Sequence, residues 1–163
     1  MLVILRHLLS ILLLPFLVVV VVPYGLLTAF PSGGWPPGWF MRLMGIVLLL
    51  GGLLLFSWCV SLFARVGRGT LAPWDPTQHL VALGPYRYVR NPMISGVALM
   101  LLGQAMFWPS LAIGIWAGAF ILINHLYFVF LEEPGLERRF GESYRHYKAT
   151  VPRWLPRLPF ILD

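Results

Sequence analysis

Apolar residues in this chain come in long unbroken runs rather than at helical or alternating intervals. Leu8 to Phe30 carries no charge, Leu43 to Ala64 carries none, and Met93 to Leu131 again holds no formal charge. A bilayer core of about 30 Å is crossed by about 20 helical residues at about 1.5 Å each. The third run is long enough for two passes and is punctuated at Trp108-Pro109-Ser110, a turn between them. The pattern predicts an all-α integral membrane protein with about four transmembrane helices, at about 7–30, 40–64, 92–107 and 109–132, in one membrane domain over 1–163. The third is short for a full crossing. Pro15 and Pro23 lie inside the first run and kink it unless neighbours satisfy the carbonyls they free. A signal peptide fits that run poorly, because it is too long and no small-x-small cleavage site follows.

Beyond the last run the pattern changes. Leu136, Phe140, Tyr144 and Tyr147 recur at helical spacing, with Arg138, Arg139, Glu142, Arg145 and His146 elsewhere around the turn. This predicts a C-terminal amphipathic cytoplasmic helix over about 134–149, lying on the membrane or capping the bundle. Pro134 is placed to start it after a bend, and the three prolines of "VPRWLPRLP" end it.

Composition agrees. The chain is 59% hydrophobic and 11% charged, against about 25% charged in a soluble domain. No single core hides that much apolar surface. Charge then sets the orientation. Arg6 precedes the first span; Arg65, Arg68, Arg87 and Arg90 separate the second and third; Arg138, Arg139, Arg145, Lys148, Arg153 and Arg157 follow the fourth; only Arg42 lies on the other side. The positive-inside rule puts both termini and the 65–91 loop in the cytoplasm. Cytoplasmic-face arginines beside anionic lipid account for the net charge of +6 without nucleic acid. Cys59 is the one cysteine and receives no role. His7, His79, His125 and His146 make no ligand spacing, so no metal site is expected.

Two polar clusters stand out. In "GPYRYVRNPMISG", Asn91 is a good N-cap and Pro92 suits the first helical position, so a helix starts there with Arg87 and Arg90 just before it. Free amides and two arginines form an anion site. The fourth span ends "INHLYFVFLEEPG", which puts Asn124, Phe128 and Glu132 at i, i+4, i+8 and His125 at i−7 from Glu132. Paired carboxylates there either reach water and pair with Arg138 or Arg139, or face the Arg87/Arg90 loop across the hairpin. A pocket with both signs of charge suits a zwitterionic or cationic ligand.

Those two stretches, with "EEPGLERRFGESYRHYKATVPRW", resemble the isoprenylcysteine carboxyl methyltransferase and phospholipid methyltransferase superfamily. The pattern is roughly G-x-Y-x-x-x-R-[HN]-P-x-Y-x-G, then E-E-x-x-L-x-x-x-F-G-x-x-Y-x-x-Y and a Val-Pro, and it covers about Thr77 to Trp154. The resemblance implies S-adenosyl-L-methionine as cofactor. It places Gln78, His79, Leu80, Val81, Tyr86, Asn91, Pro92, Met93, Ile94 and Glu132 around the cofactor, and Arg90 joins them from the anion site. Asn91 stands where the motif often has His, Ile94 where it has Tyr, and Phe128 where the prenylcysteine enzymes have an Arg. The implied reaction is direct methyl transfer to O, N or S of a membrane lipid or other lipophilic acceptor, neutral or amine-bearing rather than a prenylcysteine carboxylate. The catalytic assignment stays open, with His125 and Glu133 as candidate proton acceptors. Membrane sterol-type reductases, which use a nicotinamide cofactor, resemble the same C-terminal hairpin but are longer; a non-catalytic membrane scaffold is the third reading.

Overall fold

The computed structural model describes residues 12–30, 38–62, 65, 80 and 82–156, which are mostly helical with no strand among them. Helix α1 joins a wide π-type part, Leu12–Val21, to an α-helical part, Val22–Ala29. Helix α2 is Trp39–Leu62, α3 is Pro92–Phe107, α4 is Leu111–Phe140 and α5 is Glu142–Thr150. Two of these, α2 and α4, are long and apolar enough to cross a membrane. With 16 residues, α3 rises only about 24 Å.

The apolar helices are not hidden in a protein core. Leu54, Ile115, Ile123 and Phe130 are exposed, and on α2 only Gly45, Gly52, Phe56 and Cys59 are buried. Apolar side chains left facing outward on this scale need lipid as their solvent.

Glycines set the closest contact, between α2 and α3. Gly45 and Gly52 lie seven apart on one helix, Gly96 and Gly103 seven apart on the other. The helices run antiparallel, so Gly52 meets Gly96 and Gly45 meets Gly103. A Cβ on Gly52 would lie 2.5 Å from the Gly96 carbonyl oxygen, and one on Gly103 would lie 2.6 Å from that of Gly45. Between membrane helices, where apolar burial gives no advantage over lipid, such backbone proximity supplies the packing.

Pro23 shows how the first helix survives its prolines. Lacking an N–H, it leaves the Val19 carbonyl without an α-type donor and the Val18 carbonyl without a π-type one. Gln104 of α3 donates to Val19 O at 2.8 Å, and Trp116 of α4 donates to Val18 O at 3.1 Å. The neighbours satisfy the freed carbonyls, and this ties α1 to the hairpin. Around that junction Phe56, Val97, Met100, Leu101 and Ala117 form the core.

The hairpin turns at Trp108-Pro109-Ser110, and the Ser110 hydroxyl accepts the Ile113 N–H at 3.3 Å, starting α4 at Leu111. The expected bend before Pro134 is absent. Instead α4 widens to a π-type turn over Phe128–Glu132, where Glu133 N–H donates to Phe128 O, and runs on to Phe140. The wider register absorbs the proline that an α-register could not. The expected helix over 134–149 is therefore two pieces, the end of α4 and α5, parted at Gly141 with φ of 55°.

The glycine contact generates a test. Gly52→Ala must push α2 from α3 and should lower stability in detergent by about 1–3 kcal/mol, the range for overpacking. Gly51→Ala, whose added carbon meets nothing within 4 Å, should leave the thermal midpoint unchanged or slightly raised. Equal behaviour of the two variants would contradict this interface.

Candidate functional site

The segment before α3 is held from three sides. A 3-10 turn, Gly84–Arg87, buries Tyr86. Its hydroxyl meets the buried Cys59 thiol of α2, and its carbonyl accepts the Tyr147 hydroxyl of α5 at 2.7 Å. Arg90 N–H donates to Pro152 O at 2.9 Å, beyond α5. Asn91 occupies the N-cap position and Pro92 the first turn, as their types dictate, yet the Asn91 side chain makes no capping bond. The Asn91 carbonyl instead takes both the N–H and the hydroxyl of Ser95, at 3.1 and 3.0 Å.

Opposite this segment is the end of α4, where two adjacent carboxylates meet different fates. Glu133 is 5% exposed. Arg153 forks it, with Nε 2.7 Å from Oε1 and Nη2 3.0 Å from Oε2. Arg90 Nη1 lies 2.9 Å from Oε1, and Lys148 Nζ 3.4 Å from Oε2. Its ion partners among the described residues are therefore Arg90, Lys148 and Arg153, with Arg90 coming from the loop across the hairpin. A carboxylate among three cations stays ionised, which makes Glu133 a poor proton acceptor. Its hydrogen bonds in turn hold the Arg153 guanidinium even more firmly charged than usual. Glu132, one residue earlier and about 100° around the helix, has no ion pair or hydrogen bond among the described residues.

Both carboxylates line one cavity of about 90 Å³, together with Arg90, Asn91 and Tyr86. Phe128, Leu136 and Phe140 supply apolar wall, and Tyr144 and Tyr147 close it from α5. Burial pushes the hydroxyls of Tyr86, Tyr144 and Tyr147 above the ordinary tyrosine range. They remain protonated donors at neutral pH. The cavity thus combines an unpaired carboxylate, a guanidinium, an amide and neutral hydroxyls.

Of the residues expected around a cofactor, Leu80, Tyr86, Arg90, Asn91 and Glu132 line this cavity. Gln78, His79 and Val81 lie outside the described residues. Pro92 and Met93 turn away: Pro92 is fully buried, and Met93 packs in the clusters around Phe56 and Cys59. Ile94 and His125 are not among the lining residues. His125 Nδ1 accepts the Trp154 indole N–H at 3.1 Å, so that nitrogen is already engaged. The contributions of Tyr144, Tyr147, Lys148, Arg153 and Trp154 were not anticipated. The tyrosine spacing was legible as an apolar side, and "VPRW" as part of a motif, but neither marks a contact.

The sequence pattern of the phospholipid methyltransferase family matches residues 40–143, more than half of the chain. The chain belongs to the phospholipid methyltransferase family. The match runs from the start of α2 into α5 and so contains both cavity-forming segments. An uncharacterized protein of Haemophilus influenzae is 39% identical over 54 residues, which are 33% of this chain and 76% of that protein. No solved structure matches. Family membership gives methyl transfer as the general activity, and with two helices long and apolar enough to cross a bilayer it makes this a membrane protein.

Proposed function

We propose that this methyltransferase binds the amino-acid end of S-adenosyl-L-methionine in the Glu132 cavity and methylates a lipophilic acceptor. The observation that carries the reading is the unpaired Glu132 carboxylate sharing a cavity with Arg90 and Asn91. An ammonium or ribose hydroxyl donates to Glu132; a carboxylate accepts from Arg90 and Asn91. The bound cofactor supplies an electrophilic methyl group on a positively charged sulfur. The chain's own part is to bind, orient and exclude water, since a direct displacement needs alignment and desolvation more than proton transfer. Tyr86, Phe128 and Phe140 provide aromatic surface for a cationic group. The resemblance also assigns Gln78, His79 and Val81 to the cofactor; they lie outside the described residues.

The acceptor is a membrane lipid or similar lipophilic molecule bearing a neutral or amine nucleophile. A carboxylate acceptor needs a buried cation to offset its desolvation. The fourth span provides none: Phe128 stands at the relevant turn, and His125 is engaged by Trp154. Around the site, 1–163 forms one membrane domain of four spans, with both termini and the cavity in the cytoplasm and the charged faces of α4's end and α5 at the membrane surface. The arginine distribution supports that orientation.

Two experiments test these claims. Glu132→Gln should weaken binding of S-adenosylhomocysteine by about 1–3 kcal/mol, the range for a charged hydrogen bond lost in a buried site. The exposed Glu142→Gln should bind normally. Unchanged affinity of the Glu132 variant would remove the assignment. For topology, reporters fused after Asp163 and within 31–37 should report opposite sides of the membrane. Finding both on one side would rule out four spans.

A further inference from the structure

Three consecutive residues after α5 tie to the two facing walls of the cavity, the segment before α3 and the end of α4. Pro152 accepts from Arg90 N–H, Arg153 forks Glu133, and Trp154 donates to His125 and sets its ring on that of Phe128 at 6.0 Å. Arg153 itself is not among the residues lining the cavity.

The division of Glu133 between its cations is unequal. Arg153 takes a hydrogen bond to each oxygen, with the planar fork that matches a carboxylate. Arg90 is left with an ion contact at 2.9 Å that lacks hydrogen-bond geometry. Its Nε and Nη1 are buried without a hydrogen-bond acceptor, on a side chain only 10% exposed. Buried guanidinium donors left unspent are costly, and here they belong to a residue that lines the cavity.

We infer that Arg153 is a positioning residue: by occupying both oxygens of Glu133 it keeps the Arg90 guanidinium from forking onto that carboxylate and so leaves it able to meet an anionic group of the ligand, taken as the cofactor carboxylate on the reading above. Without the Arg153 fork, Glu133 offers both oxygens to the nearest guanidinium. Arg90 is already in contact and turns onto it. The ligand then loses its donors although no residue touching it has been changed.

The test uses the purified full chain in detergent, with S-adenosylhomocysteine as the probe, and the structure of the ligand-free Arg153→Gln variant. In that structure Arg90 should fork both Glu133 oxygens; an Arg90 left in place would overturn the proposal whether or not the probe binds. In binding, Arg153→Gln should lose about tenfold in affinity, the equivalent of one charged hydrogen bond. Adding Glu133→Gln should restore most of that loss, because an amide offers no second acceptor for the fork. A merely structural role predicts that the double variant binds worse still, and that result would overturn the proposal. Should Arg153→Gln fail to fold, Arg153→Lys keeps the charge but cannot fork; it should still weaken binding, and unchanged affinity would count against the proposal. If the wild-type chain does not bind the probe, the cofactor reading fails, while the position of Arg90 in the ligand-free variant still decides this inference.

Discussion

One buried carboxylate organises the site. Glu133 is the point where the segment before α3, the end of α4, the helix α5 and the chain beyond it all meet, through Arg90, Lys148 and Arg153. An ion buried this deeply needs its partners, and removal of one partner from a buried pair costs on the order of 3–5 kcal/mol. The same interaction divides labour between neighbours. Because Glu133 gathers the cations, Glu132 is left without an ion pair among the described residues. Two carboxylates that look alike in the sequence are thereby given different work, one structural and one open to a ligand.

Behind that cluster, the apolar helices act as a frame. The glycine contacts bring α2 against α3, which seats Cys59 beside Tyr86 and so fixes one wall of the cavity. Gln104 and Trp116 spend their donors on Val19 and Val18, which closes the prolyl gap in α1 and joins it to the hairpin. The hairpin in turn brings Asn91 and Glu132 to one end of the bundle. Packing between apolar helices alone would not specify this arrangement, since lipid tails compete for every such contact; close backbones and satisfied carbonyls do.

What the sequence revealed follows from which forces act locally. The ends of α2 and α3 and the turn at Trp108-Pro109-Ser110 were legible, because uncharged runs, prolines and capping residues act over a few positions. Pro134 misled because the breaker rule assumes α-type bonding, and a π-type turn at Phe128–Glu132 escapes it. The Asn91 side chain misled for a related reason: the residue type marks a helix start, but it does not compel the capping bond. About half of the candidate site was legible as well, since the resemblance named Leu80, Tyr86, Asn91 and Glu132 and the anion-site reading added Arg90. The role of Glu133 was not, because which of two adjacent side chains finds cations depends on Lys148 and Arg153, more than a dozen residues away. The Pro-rich segment after α5 read as an ending, whereas its residues 152 to 154 are tied across the site.

The central claim is that the cofactor enters the cavity between the segment before α3 and the end of α4. Ultraviolet crosslinking of methyl-labelled S-adenosyl-L-methionine to the purified protein, followed by peptide mapping, tests it most directly. The label should fall within 78–96 or 128–147 and should be displaced by excess S-adenosylhomocysteine. Displaceable label confined to any other part of the chain, or label that the competitor does not remove, would contradict the account.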